Sequence, residues 1–520
     1  MPGFNLIDNP WIPVADVGRV SLMDVFTHPE YRALGGNPIQ KIALMKLLLA
    51  IAQAACTPKD EAGWKALGVT GMAKSCREYL EKWRDRFDLY GERPFLQMPG
   101  IKQVVQEKHL QSFGAGFYPD VPSDNNTILS HTFIERKMDD ADKALFILTL
   151  MNFSLGGKRI TGGITSLAGV KLGSRYSAAA GPSQGGWNGQ LHCFILTESL
   201  CESIYINMLT FQQLEGLNRW SDFGFGVPPW ESMPTSESDE IANKHKKSYQ
   251  SCLLAMSRFV LLEGDRLYYL DGIRYPKIEE GWYEPSLAID TSGASPKVKY
   301  VDIDKKPWRE LQSLLSFLLN SRTLGFECFL LKTGENRLRG RKCKFAAWSA
   351  GLAVSSNSGD QSVKKNNDFV ESTLWLNENW LSDFPFEFEQ YKSEMEELEK
   401  LGSYLYSRIK KYFSLLTDTQ KKGTVSGKNK NQLVKEIPRH AANQFWQLCE
   451  REAQKLVDAC SAPEETRNFE LHKLRCRFVD YLQQTYNQFC PRETARQMDA
   501  WAQSRPNTGV YLAMHKGGAE

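Results

Sequence analysis

The sequence predicts a mixed helix-and-strand region, with small antiparallel sheets and long loops, over residues 1–384 and a helical bundle over 385–520. Three observations carry this. Ser257–Tyr275 alternates in places, as at Phe259 and Leu261 and again at Leu267 and Tyr269, which is the period of a half-buried antiparallel strand. Beyond Phe384-Pro385 the apolar period becomes helical. Ahead of both lies Asn152–His192, too rich in glycine for the interior of a helix or strand, because each glycine adds backbone entropy that folding must remove.

In chain order, within Phe4–Val14 a short apolar strand ends at Asp8-Asn9-Pro10, with Val20-Ser21-Leu22 as its hairpin partner. Asn37-Pro38 opens a helix over Ile39–Cys56, proline standing in the first turn. Its apolar run, Ile42–Ala55, is interrupted by Lys46. The run is too short to span a bilayer and reads as a buried helix. Gly71–Phe87 is a second, more polar helix, and Glu92–Gln97 a turn into an ordered loop. Ser123–His131 is polar and rich in turn formers, so a mobile loop is expected. Asp139-Asp140 caps a helix over Ala141–Met151, and Asp142 belongs to its acidic first turn. His192–Tyr205 reads as a strand followed by a helix, and Pro307–Asn320 as a helix. Lys332–Lys344 is the most basic window, either a solvated charged turn or a contact for nucleic acid. Ser355–Ser362 is a polar, turn-forming tip.

The bundle rests on three apolar sets. They are Leu398, Leu401, Leu405, Ile409, Tyr412, Phe413 and Leu416; Phe445, Leu448, Cys449, Leu456, Val457 and Cys460; and Leu471, Leu474, Phe478, Tyr481, Leu482 and Phe489. Lys421–Asn431 is a polar loop, and Pro463 and Pro491 mark breaks.

At 520 residues the chain is long enough for more than one core. A net charge of +3 is too small to announce nucleic acid by itself, so any basic surface is local. The first residues show no basic region followed by an apolar core, so no secretory signal is expected. Eleven cysteines, none spaced Cys-x-x-Cys, point to reduced thiols in a cytoplasm. His472 and Cys476 sit at i and i+4, which puts two ligand types on one helical face, but no second pair lies nearby.

The glycine-rich stretch carries Lys158, Arg159, Lys171 and Arg175, and no acid occurs between Asn152 and His192. Exposed backbone amides among cations fit a phosphate backbone. A surface loop without a ligand is the structural alternative. A Walker loop is excluded, because the pattern before Lys158 needs glycine at Asn152 and Ser or Thr at Arg159.

The opening Asn5-Leu6-Ile7-Asp8-Asn9-Pro10-Trp11-Ile12-Pro13-Val14 resembles that of the CasA family, the large subunits of the type I-E CRISPR surveillance complex Cascade. So do Glu92–Gln97, the helix into Gly156-Gly157, Gly186-Trp187-Asn188-Gly189-Gln190-Leu191, Pro228-Pro229-Trp230-Glu231 and the C-terminal helices, so that the resemblance runs from about residue 4 to about residue 505. It implies an α+β fold, with a mixed N-terminal domain and a C-terminal four-helix bundle. It also implies recognition of the protospacer-adjacent motif in double-stranded target DNA through the minor groove, followed by opening of the duplex. Other subunits hold the guide RNA, and a helicase–nuclease effector arrives later. Protein reads a short motif and base pairing reads the rest.

Carried over by position, the resemblance puts the family's glycine loop on Ser154, Leu155, Gly156 and Gly157, with Lys158 beside it for phosphate charge. The wedge that pries the first base pair apart falls on Asp360, Gln361 and Ser362. The lysine finger falls near Ile273–Lys277. Ile273 takes the ungapped position, so Arg274 or Lys277 must serve. Ser123–His131 corresponds to a loop that contacts the guide RNA 5′ end. No enzyme activity and no cofactor are expected. The competing classes are a metal-dependent nuclease, against which stand the missing His-x-His and Cys-x-x-Cys, and a single-strand DNA-binding protein that stacks bases on Trp and Tyr.

Overall fold

The computed structural model describes residues 3–103, 105, 107, 110–113, 137–155, 184–186, 188–217, 224–276, 284–290, 295–315, 326–357, 360–362, 369–382, 386–418 and 427–513. Close contacts divide the chain into two compact units. One comprises Met1–Pro307, Ser313–Arg339 and Cys343–Thr373; the other comprises Trp308–Gln312, Gly340–Lys342 and Leu374–Glu520.

The first unit is built around the helix Pro38–Cys56. Asn37 and Gln40 form a reciprocal capping box at its start, and Pro38 occupies the first turn. Every residue from Ile42 to Gln53 is buried, Lys46 included. A helix apolar on all sides belongs inside a core, and the helices Glu61–Lys82, Asp140–Phe153 and Leu200–Asn207 and the strand Phe345–Leu352 pack against it. At 19 residues it is longer than the apolar run implied and reaches bilayer length, yet 72% of its apolar window is buried within the protein.

Several expected boundaries shift. The N-terminal strand pair is Ile12–Val14 with Gly18–Val20, register Ile12↔Val20, not a strand from Phe4 paired with Val20-Ser21-Leu22. The reason is local. The Asn5 side chain accepts the Ile7 N–H at 3.0 Å and turns the chain, while Ser21 caps the helix Leu22–Val25. The second helix starts at Glu61 rather than Gly71, because Asp60 caps it; Gly68 (φ 62°) kinks it internally. Pro307–Glu310 is a 3-10 turn leading into Leu311–Leu314.

Three three-stranded sheets among the described residues agree with the α+β expectation. The hairpin Arg258–Glu263/Arg266–Asp271 turns at Gly264 (φ 62°) and takes Gln111–Ser112 as a third strand. Phe345–Leu352 lies between Phe369–Leu376 and His192–Thr197, in the register Ala350↔His192. Ala288–Asp290 lies between Lys297–Val298 and Glu327–Cys328.

The basic window Lys332–Lys344 is not one charged turn. It begins inside the helix Phe329–Leu338, and Arg337 points inward. That guanidinium stacks on the Trp64 ring at 4.3 Å, pairs with Glu61 at 2.7 Å and donates to the Ile206 carbonyl at 2.8 Å. Arg339 pairs with Glu335. Arg337 is thus taken up in packing, whereas Lys332, Arg339, Lys342 and Lys344 are exposed.

The second unit is helical: Phe386–Asp418, Gly427–Glu450, Ala453–Cys460, Glu464–Phe489 and two shorter helices after Pro491. The polar loop expected to reach Asn431 gives way to helix at Gly427. The expected stripe is buried at Leu398, Leu401, Leu405, Ile409 and Tyr412. Gly402 lets the first long helix meet Trp446, since a Cβ there would lie 2.7 Å from the indole. The Arg309 guanidinium lies 3.6 Å from the Trp446 ring and is held by Glu399 at 2.8 Å. Glu394 and Arg475 form a buried ion pair, with Arg475 Nε 2.9 Å from Glu394 Oε2.

We propose that residues 385–520 fold independently. The fragment is expected to show helical circular dichroism and a cooperative melt. A fragment starting at residue 374 restores Trp380, whose Nε1 donates to Ser461 Oγ at 2.7 Å, and is expected to melt at a higher temperature. Broad, non-cooperative melting of both would end the proposal.

Candidate nucleic-acid interface

Ser154 and Leu155 are described; Gly156, Gly157 and Lys158 lie outside the described residues, as do Lys277 and Ser123–His131. What the structure gives is the frame on which these segments are mounted.

The stretch departs from the helix Asp140–Phe153. Asp139 caps its start, accepting the Asp142 N–H at 2.7 Å, and Arg19 pairs with Asp139 and Asp142. Ser154 ends it, its N–H bonding the Leu150 carbonyl at 3.1 Å. Asn152 is fully buried, and its side-chain oxygen accepts the Ala255 N–H at 2.9 Å. Gln184 is the next described residue after Leu155. Its N–H bonds the Asn152 carbonyl at 3.1 Å, and its side-chain amide donates to Asn152 Oδ1 and to the Cys252 carbonyl, both at 3.0 Å. Whatever path residues 156–183 take, they leave and return at one clasp.

Buried charge lies beneath the clasp. His192 Nε2 donates to the Gln184 carbonyl at 2.7 Å, and its Nδ1 lies 2.9 Å from Ser286 Oγ and 3.7 Å from Glu284 Oε1. Glu284 forms a close ion pair with Lys46 and accepts from the Ser286 hydroxyl. Lys46 also donates to the Cys252 carbonyl at 3.0 Å. Burial would raise the Glu284 carboxyl, but Lys46 and His192 outweigh it and hold it at about 2. Burial, and then Lys46, pushes the His192 imidazole below its ordinary value.

A second buried pair braces the departing end. Arg258 donates to the Leu155 carbonyl at 2.6 Å, to Asp271 at 2.7 Å and to the Tyr269 hydroxyl at 3.0 Å. Asp271 ends the hairpin strand that leads into the finger segment. There Gly272 packs so tightly on Met256 and Arg258 that a Cβ would overlap backbone. Ile273 is buried, its N–H on the Met256 carbonyl at 2.8 Å, whereas Arg274 is exposed.

The returning end braces the third segment. Gly189 (φ 79°) lies against the Leu352 carbonyl where no Cβ would fit, and the Val301 N–H bonds the Gly189 carbonyl at 2.9 Å. Leu352 closes a strand that continues, after Ala353-Val354, into the hairpin Ser355–Asn357/Asp360–Ser362, where Gln361 stands opposite Ser356. The roots of the three sequence-predicted segments thus meet one buried frame. His472 and Cys476 do approach, with Nε2 and Sγ 3.6 Å apart, and no cluster of three or more metal-ligating side chains occurs among the described residues.

The sequence reading missed Lys46, Asn152, Gln184, His192, Glu284, Arg258 and Asp271. One signal was present: a lysine inside an otherwise apolar helical run requires a buried counter-charge.

Compared with known proteins, residues 5–487 match the family model described as CRISPR-associated protein Cse1. A curated relative from Thermus thermophilus, the CRISPR-associated protein CasA/Cse1, is 34% identical over 168 residues; this match covers 30% of the chain and 32% of the relative's length. Among solved structures, CasA of Thermus thermophilus is similar at a TM-score of 0.69 and 20% identity, covering 98% of this chain and 99% of the other. Cse1 of Thermobifida fusca gives 0.65 and 19%, covering 98% and 95%. A chain of a structure described as a CRISPR RNA-guided surveillance complex gives 0.66 and 16%, covering 97% and 99%.

Replacing Arg258 with leucine leaves the Asp271 carboxylate buried without its guanidinium and is expected to destabilise the fold by about 3–5 kcal/mol. Removing both charges in Arg258→Leu/Asp271→Leu is expected to recover much of that loss. Chemical denaturation of the three proteins checks this; a double variant no more stable than Arg258→Leu would contradict it.

Proposed function

Because the chain belongs to the CRISPR-associated Cse1 family, we propose that it is the DNA-recognising subunit of an RNA-guided CRISPR surveillance complex. The observation that carries the reading is the clasp between Asn152 and Gln184. It presents a glycine-rich, cation-bearing, acid-free stretch from a rigid base. One of the fold's neighbours is a chain of such a complex.

In this reading the glycines at 156 and 157 enter the minor groove beside the matched sequence. A minor groove is narrow and its donor–acceptor code degenerate, so a close-approaching backbone reads it permissively and accepts several motifs. Lys158 adds phosphate charge without base information. Arg274 or Lys277 supplies a second cation, and the tip at Asp360, Gln361 and Ser362 holds the first opened step apart. Ser123–His131 meets the guide RNA 5′ end. Other Cascade subunits carry the guide, a helicase–nuclease effector cuts, and this chain itself catalyses nothing.

Gly157→Asp is expected to abolish motif-dependent binding by the assembled complex. Lys158→Ala is expected to weaken binding to all motifs about equally and to reduce the salt slope by about 1. Affinity for matched and motif-swapped duplexes at several salt concentrations decides both. Full discrimination retained by Gly157→Asp would move the reader elsewhere.

Gln361→Ala is expected to slow strand opening while leaving initial duplex binding largely intact, since unstacking one step costs on the order of a few kcal/mol. Stopped-flow opening on closed and pre-opened targets tests this. An equal loss on the pre-opened target would argue against a wedge.

A further inference from the structure

We infer that His192 is a positioning residue for the glycine-rich stretch: by donating its Nε2–H to the Gln184 carbonyl it fixes where that stretch re-enters the core, and so which flanking base pairs the stretch accepts. The inference rests on the proposed reading of the stretch as the motif reader.

A carbonyl only accepts, so the 2.7 Å contact with Gln184 requires a proton on His192 Nε2. With the imidazole neutral, Nδ1 is then an acceptor, and it lies 2.9 Å from Ser286 Oγ, whose one proton is shared between Nδ1 and the Glu284 carboxylate. Ser286 also bonds Glu284, which Lys46 holds from the helix Pro38–Cys56. A chain of contacts therefore runs from that central helix through Glu284, Ser286 and His192 to the backbone of Gln184. The ring is further fixed by the edge of Phe153, 5.8 Å away on the departing side of the clasp, and by its place opposite Ala350 in the sheet. His192 thus touches both ends of the stretch.

The junction already holds unpaired polar atoms. Ser154 Oγ and Gln184 Oε1 are buried without a hydrogen-bond partner among the described residues. Without His192 the Gln184 carbonyl would lose its imidazole donor as well. The returning strand would then shift to find water or another donor. A displaced base leaves the cations of the stretch available to phosphate, so non-specific binding persists while readout of the groove degrades.

The test uses the assembled complex and a pool of guide-matched duplexes whose flanking base pairs are randomised. Bound flanks are sequenced, and affinity for a pre-opened target is measured in parallel. His192→Phe keeps the ring and loses the donor. It is expected to lower the ratio of preferred to rejected flanks on the order of tenfold, with affinity for the pre-opened target unchanged. His192→Gln, whose amide nitrogen can take the place of Nε2, is expected to retain most of the preference. Ser286→Ala leaves the ring and removes the hydroxyl beside Nδ1 together with its hydrogen bond to Glu284; a partial broadening is expected, and this variant serves if His192→Phe does not assemble. A wild-type flank spectrum in His192→Phe or in Ser286→Ala, or equal loss in His192→Gln and His192→Phe, would overturn the inference alone. No flank preference in the wild-type complex would overturn the underlying reading as well.

Discussion

The ion pair between Lys46 and Glu284 is the constraint on which the first unit depends. Lys46 is completely buried within the apolar run of its helix, and a charge there is tolerated only beside an opposite charge with its remaining donors satisfied. Glu284 and the Cys252 carbonyl meet that need. The central helix is thereby tied to two backbone segments distant in sequence, and Cys252 in turn accepts from Gln184. Breaking such a pair typically costs about 3–5 kcal/mol because a lone charge remains. Replacing both partners by apolar groups is a different matter, so the pair's contribution lies as much in fixing which segments meet as in net stability.

The parts of the fold legible in the sequence are those written in neighbouring residues. Asp139 before an apolar run is a helix cap within one turn. The alternation around Phe259 and Leu267 is a hairpin with Gly264 at its bend. The Leu398–Tyr412 stripe is one helical face. The frame beneath the clasp is written otherwise. Lys46 and Glu284 are 238 residues apart, Arg258 and Leu155 are 103 apart, and Arg337 and Glu61 are 276 apart. No sequence window contains both partners, so each is met in the sequence without the group that it binds.

Arg337 shows how this misleads. In sequence it contributes to the most basic window of the chain, and density of charge there reads as an invitation to phosphate. In the structure its planar guanidinium lies on Trp64 and bonds two backbone carbonyls, a task for which arginine's fork geometry is suited and lysine's is not. Basic composition measures how many cations are present, and burial decides how many a polyanion can meet.

The clasp also bears on how freely such a protein can change. When both ends of a segment are held by contacts outside it, the segment's length enters stability only through closure entropy, which grows by about 0.6 kcal/mol per doubling. Asn152, Gln184, Cys252 and Ala255 hold the ends without drawing on anything between 156 and 183. The clasp therefore closes whatever the identity of the residues between its ends, and it can persist when they are exchanged.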